Sequence, residues 1–537
     1  MLVQGSILAI AGIITRIIGL AKRVPLTEII SDVGNSYYSV AYELYTMILM
    51  ISSYSMPLAV SKVVAQRVAN GEYRNARRVF KASLIFAFLI GSLCFILVFI
   101  FAEQISAWSS EPMSYLALQM LAPTLLIVAV MGVFRGYFQG LGTMVPTALS
   151  QIFEQIFVVA VSLIGAYFMM SYGEKIGAVL GDENYAYAYG AGGAAIGPGV
   201  GALVGLAFLI FVYMINKKGM DRKVRRDLTY KDESYMQIFR IVLLTIFPVV
   251  LSTAIYNMTS IVDQKMYHQI MTDMGLTATK SVNWGVYTGK YRVLINVPIA
   301  IANAMCSSIT PAIAGLHAQR KKKEIREKIA LAMRFVSIIS IPSAVGLAFM
   351  ARPIIDLLFN YEIEKAIVMM QFGSVAIVFY SISTLTNGVL QGIGKLSKPV
   401  IHSAISLALH CILLFVLLRF TNLNIYAVVI SSMFFALLMC ILNAYSIGRE
   451  LHYRQEWIRT FVLPAIASIA MGSFIFIFMK LFYESLGNLL TVLLALPLAI
   501  MIYFVILILL GGLNADEVRA MPYGKKLYKL FHVLRLM

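Results

Sequence analysis

The stretch LVQGSILAIAGIITRIIGL, Leu2 to Leu20, is apolar over the length of a membrane-crossing helix, yet it contains Arg16. About 30 Å of hydrocarbon needs roughly 17–25 helical residues, so the length is right. A guanidinium in mid-bilayer costs at least ~2.5–3.5 kcal/mol even on lenient insertion scales. Arg16 lies about four turns in from Leu2, too deep to snorkel easily to the inner face. Such a residue persists where it faces a watery cavity or an anionic partner. Lys290 and Arg292 interrupt a later apolar stretch in the same way. Cations directed inward from an apolar protein suit an anionic, lipid-compatible substrate.

The rest of the chain has the same character. Of 537 residues 60% are hydrophobic and only 13% charged, with a mean hydropathy of +0.82. Soluble domains carry roughly 25% charged residues, which excludes a water-soluble domain of useful size. Apolar stretches fall at 2–21, 37–61, 79–102, 115–134, 147–170, 187–215, 237–260, 282–312, 331–351, 367–390, 399–418, 424–447, 461–483 and 489–511. The expected fold is an all-α polytopic membrane protein with about fourteen transmembrane helices. The stretch 2–21 lacks a basic leader and a small-x-small cleavage site before Lys22, so it reads as a retained first helix.

A net charge of +18 would suit a nucleic-acid binder, but its placement points elsewhere. With the N-terminus inside, 32 of the 44 Lys and Arg fall on the cytoplasmic side and 9 on the other; Arg16, Lys290 and Arg292 complete the set. That asymmetry is the positive-inside pattern. It predicts a multi-pass protein of the bacterial cytoplasmic membrane, both termini cytoplasmic, in contact with anionic lipids. Cys94, Cys306, Cys411 and Cys440 stand singly within predicted spans, so neither a disulfide framework nor a metal site is indicated.

An internal repeat organises the spans. Gly136-Tyr-Phe-Gln139-Gly140-Leu-Gly142 and Gly388-Val-Leu-Gln391-Gly392-Ile-Gly394 close the fourth and tenth spans. Ala65-Gln66-Arg67 and Ala318-Gln319-Arg320 follow the second and eighth, each behind a proline. A looser echo links Ser31-Asp32-Val33-Gly34 with Thr272-Asp273-Met274-Gly275. Six spans per unit preserve orientation, so two parallel lobes are expected around a central cavity. The expected boundaries are 1–216 for the N-lobe, 217–236 for a basic cytoplasmic linker and 237–448 for the C-lobe. Two further helices occupy 449–511, and 512–537 forms a basic tail, either an amphipathic helix on the inner leaflet or a solvated segment.

The Gly-x-x-Gln-Gly-x-Gly turns are not phosphate loops, because no Gly-Lys-Ser/Thr follows; small residues at this spacing let membrane helices pack closely. Gly190 to Gly199 reads as packing or a kink. With no nucleotide motif, no cofactor is expected; a Na+ or H+ gradient, the membrane potential or consumption of the product would drive transport. No acidic catalytic pair, metal cluster or large outer loop is visible, so an enzyme is not expected.

The segment Thr15-Arg16-Ile-Ile-Gly19-Leu-Ala-Lys22-Arg23, with Gly34-Asn35-Ser36-Tyr37-Tyr38-Ser-Val-Ala-Tyr42, resembles the opening of MurJ-type lipid II flippases. These share a superfamily with MATE exporters and polysaccharide-lipid flippases. The resemblance looks closest to the Gram-positive, stage V sporulation protein B-like group. It implies duplicated six-helix lobes and translocation of undecaprenyl-diphosphate-linked lipid II by alternating access. Another undecaprenyl-diphosphate glycan is the alternative cargo, and a MATE-type cation or drug antiporter the remoter one. Cell-wall synthesis machinery is an implied partner.

The resemblance also implies a site. Arg16 matches the family's first cavity arginine, and Lys22 or Arg23 the second. Asn35 stands where many members carry Asp. Tyr287-Thr-Gly-Lys290-Tyr-Arg292 resembles the Y-x-D-R segment with a slip of one residue, Lys290 replacing the acid. Guanidinium and ammonium groups in a desolvated cavity suit diphosphate oxygens. Against this, Lys22 and Arg23 would serve equally as snorkelling residues at a helix end. Glu43 and Glu154 are expected to pair with cavity cations. Asp263 lies late in the seventh span, where some members bind sodium; His402 and His410 read as packed, hydrogen-bonded histidines.

Overall fold

The computed structural model describes residues 2–50, 56–227 and 233–513. The basic tail lies outside the described residues from position 514, and so does the side chain of Arg16. The described residues are helices and short connections, with no strand among them. Eight of the described helices are long and apolar enough to cross a bilayer, or nine counting one pair bent by 53°. Every predicted apolar stretch is helical over its described residues, apart from a few at ends and bends. Contacts divide the chain into Met1–Gly289 and Lys290–Met537.

The N-terminal unit holds α1 (Leu2–Leu49), α2 (Met56–Ala69), α3 (Tyr73–Ile100), α4 (Ala102–Trp108), α5 (Tyr115–Gly140), α6 (Val145–Leu180), α7 (Asn184–Arg225), α8 (Tyr235–Asp273) and α9 (Thr277–Val286). The first two predicted spans share α1, interrupted at Ser31, whose φ of 59° and ψ of 176° are not helical. The helix therefore runs on past Lys22 and Arg23, which the apolar pattern puts at its outer end. Val60 and Val64 of α2, Val79 and Phe80 of α3, Val133 and Tyr137 of α5 and Leu209 of α7 form one apolar cluster. The glycine-rich run serves packing: a Cβ on Gly193 would strike the carbonyl of Gly165 on α6, and one on Gly197 would strike Ser162. Ser234 opens α8 with a capping box, its hydroxyl accepting from the Gln237 amide and its amide donating to Gln237 Oε1, both at 3.2 Å.

The contact boundary falls after α9, not in the expected 217–236 linker. The cause is chemical: α8 and α9 are tied to α1 and to the segment before α5 by the polar contacts described below.

The C-terminal unit holds α10 (Arg292–Ala318), α11 (Lys322–Phe349), α12 (Ala351–Leu358), α13 (Ile363–Gly373), α14 (Ala376–Gly392), α15 (Ser397–Phe420), α16 (Ile425–Leu451) and α17 (Leu463–Leu509). The last two predicted spans share α17, broken at Gly487 (φ 70°). Ala467, Met471 and Ile475 before that break and Ala495, Ala499, Tyr503 and Leu507 after it pack in one cluster with Ile338 of α11. Their four-residue spacing is the stripe a helix presents to a neighbour.

Both copies of the glycine motif do the same thing within their own units. Gly136 and Gly140 of α5 abut Pro57, Val60 and Val64 of α2, while Gly388 and Gly392 of α14 abut Cys306, Thr310 and Ile313 of α10. The turns match as well. The Gly142 amide donates to Gln139 and that of Thr143 to Phe138; the Gly394 amide donates to Gln391 and that of Lys395 to Leu390. Each is a Schellman ending with glycine at positive φ, 84° and 77°.

Candidate functional site

Lys22 and Arg23 converge on one aromatic ring. Lys22 is only 6% exposed, and its ammonium lies 5.4 Å from the centroid of Tyr38. Its Nζ is 3.4 Å from the Tyr38 hydroxyl and 3.5 Å from Ser162 Oγ on α6. The Arg23 guanidinium carbon stands 5.5 Å from the same centroid. Arg23 Nη1 is buried and has no hydrogen-bond partner among the described residues. Neither cation is ion-paired with a carboxylate among those residues. Burial against a neighbouring helix argues against snorkelling for Lys22.

Tyr38 begins a ladder. Positions 38, 42 and 45 share a helix face, and their rings stand 5.7 Å apart (Tyr38 to Tyr42, stacked) and 5.8 Å apart (Tyr42 to Tyr45). On α6, Glu154 accepts from Arg135 Nη2 at 2.6 Å, and Arg135 Nε donates to Ser150 Oγ at 3.1 Å. Glu154 thus pairs with a cation, as expected, but the cation is Arg135 at the end of α5. Glu43 is half-buried on α1.

Asn35 has another task. It is fully buried, and its Nδ2 donates to the Gly285 carbonyl at 3.0 Å, holding α9 against α1. Close approach is possible because Gly285 and Gly289 present no side chain there. Asp263 is buried in α8 beside buried Gln264.

In the C-terminal unit, Lys290 sits in a π-helical turn, Tyr287–Tyr291, is 1% exposed, and donates to the Tyr361 carbonyl with Phe359 5.7 Å away. A π turn is how a helix absorbs one extra residue, and it falls at the segment where the family resemblance slips by one. Arg292 follows as the half-buried first residue of α10. His402 and His410 are packed as expected. His402 lies 2.7 Å from Asn443 Oδ1 and 3.1 Å from Ser446 Oγ, and His410 2.7 Å from the Ser431 carbonyl.

One cluster carries no sequence signature. Glu111, just before α5, accepts from Ser281 Oγ at 2.9 Å and lies 2.9 Å from His268 Nδ1. Lys280 donates to the Ser110 carbonyl at 2.6 Å. Burial would raise the Glu111 pKa, but the bond and charge of His268, the charge of Lys280 and the Ser281 hydroxyl outweigh it and hold the carboxyl below its ordinary value. Positions so far apart in sequence leave no spacing to read.

Residues 2–317 match the family model described as polysaccharide biosynthesis protein. The chain belongs to that family. Residues 248–416 also match the MatE model. The chain is 25% identical over 433 residues to the lipid II flippase MurJ of Bacillus subtilis (strain 168), covering 77% of this chain and 76% of that protein. Stage V sporulation protein B of the same organism is 25% identical over 521 residues, covering 96% of each. Among solved structures, lipid II flippase MurJ in an inward closed conformation superposes with a TM-score of 0.67 at 14% identity, over 93% of this chain and 97% of that one. An inward-facing multidrug MATE transporter of the MOP superfamily gives 0.61 at 16% identity, over 81% and 98%. The chain thus has the fold of MurJ and MATE transporters and is a multi-span membrane protein.

Proposed function

We propose that this chain is a flippase for an undecaprenyl-diphosphate-linked glycan, with lipid II as the leading cargo. The observation that carries the reading is the pair Lys22, buried, and Arg23, half-buried with its Nη1 enclosed, both on Tyr38 without a carboxylate partner among the described residues. Buried charge is stable only when paired, and a diphosphate supplies two anionic groups suited to an ammonium and a guanidinium. A cation exporter would need the reverse polarity. In this unit Glu154 is already engaged by Arg135.

Alternating access would carry the headgroup from the inner to the outer leaflet while the polyprenyl chain stays in lipid. The protein would reside in the bacterial cytoplasmic membrane with both termini inside. A potential negative inside opposes outward movement of an anion and returns an unloaded cationic site, so it can reset the cycle; a Na+ or H+ gradient is the other drive. A second reading, export of a different undecaprenyl-diphosphate glycan, has the support of the polysaccharide biosynthesis family match over residues 2–317.

The test is replacement of the native lipid II flippase in a depletion strain. Growth restored by this chain, and lost again in Lys22→Ala and Arg23→Ala variants that still insert, is the expected result. Failure to restore growth together with rescue of a capsule-export defect would favour the second reading.

A further inference from the structure

The ladder contains one ring that is not enclosed. Tyr38 and Tyr45 are almost wholly buried, as are Val40, Ala41 and Leu44 around them, whereas Tyr42 keeps 36% of its surface exposed. The Tyr42 ring stacks on Tyr38, the ring that carries Lys22 and Arg23, and lies within reach of the charges of Arg23 and Glu154. Its hydroxyl makes no hydrogen bond among the described residues; only its carbonyl is engaged, by Thr46 at 2.7 Å. Tyr38 is covered by cations and Tyr45 is buried, so Tyr42, lying between those two rings, is the member of the ladder with open surface.

An aromatic face is electron-rich, and the C–H-bearing face of a pyranose is its complement. One helical pitch, about 5.4 Å, separates the cation-bearing ring from Tyr42. That is on the scale of the step from a phosphate to the centre of the sugar it carries. We infer that Tyr42 is the stacking platform for the sugar next to the diphosphate, so that it selects glycosylated carrier over bare carrier. The inference rests on the proposed diphosphate site, and extends it to a saccharide subsite with a free hydroxyl available to the ring substituents.

The experiment measures binding of two probes to the full-length protein in nanodiscs: undecaprenyl diphosphate bearing one N-acetylated hexose, and undecaprenyl diphosphate alone. The wild type should prefer the glycosylated probe. Tyr42→Leu should weaken that probe about five- to tenfold, the scale of one aromatic contact, with the bare probe held within about twofold. Tyr42→Phe keeps the ring and should recover most of the preference. Tyr42→Met, flexible and of similar length, replaces the leucine variant if that one does not insert. Equal weakening of both probes, or an unchanged preference in Tyr42→Leu and Tyr42→Met, overturns the inference while leaving the diphosphate site standing. A wild type that binds neither probe overturns both.

Discussion

The Glu111 carboxylate and the His268 imidazole lie 2.9 Å apart, both almost wholly buried, and join the segment before α5 to α8. With Lys280 and Ser281 of α9 they make a four-member polar network among tightly packed elements. The Glu111 pKa is held low, so its stabilisation is fully present above the unfolded value of about 4.3 and is lost as pH falls through the lower folded value. The melting temperature of the purified protein should therefore drop on that acid limb. Glu111→Gln should flatten the limb and lower stability at neutral pH by up to about 3–5 kcal/mol, since it removes the buried carboxylate that His268 and Ser281 contact and that the nearby Lys280 charge favours. A variant that melts like the wild type at every pH would show the network to be inert.

Lys22 and Arg23 should each contribute to affinity. Lys22 is enclosed between Tyr38 and Ser162, whereas Arg23 has a nitrogen without a hydrogen-bond partner among the described residues. Arg23→Ala should lose one charge-assisted contact, about 1.5–3 kcal/mol, or roughly ten- to hundredfold in affinity for a polyprenyl diphosphate. Lys22→Met, which keeps the stem, should lose a similar amount with little change in melting temperature. Unaltered affinity in both variants would remove these residues from the site.

How much of this was readable in advance varies with the length scale of the physics. Hydropathy averages over some twenty residues, so the helical stretches were visible, as was the repeat through its glycine turns. A backbone break at Ser31 was not, because serine does not announce a φ of 59°; its consequence was to misplace Lys22 and Arg23 at a helix end. The π turn at Lys290 was visible only as a slip of register. Asn35 resembled a binding residue in sequence and proves to clamp Gly285, because a carboxamide serves either purpose and only the approach of α9 decides. Glu111, His268 and Lys280 come from three distant segments, and nothing local marks their meeting.

Glycine substitutions should divide sharply along α7. A methyl group on Gly193 would collide with the Gly165 carbonyl, while one on Gly219 meets nothing within 4 Å. Gly193→Ala should force α6 and α7 apart at about 1–3 kcal/mol. Gly219→Ala, in the solvent-exposed extension of the same helix, should stabilise by roughly 0.5–1 kcal/mol through helix propensity alone. Thermal melting of the two proteins in one detergent decides the matter, and a reversed order would mean that the helices do not pack through glycine.

Gly142 and Gly394 offer a test of the duplication itself. Each ends its helix at positive φ with the same pair of backbone hydrogen bonds, and a methyl group on either would meet no atom within 4 Å. Crowding is therefore absent at both sites, and an alanine would feel only the left-handed backbone, about 1–2 kcal/mol. Gly142→Ala and Gly394→Ala should consequently lower stability by similar amounts, and the double variant by their sum, because the two turns belong to different compact units and share no partner. A penalty confined to one turn, or a double variant far from additive, would show that the two glycine motifs are alike in sequence without being equivalent in the fold.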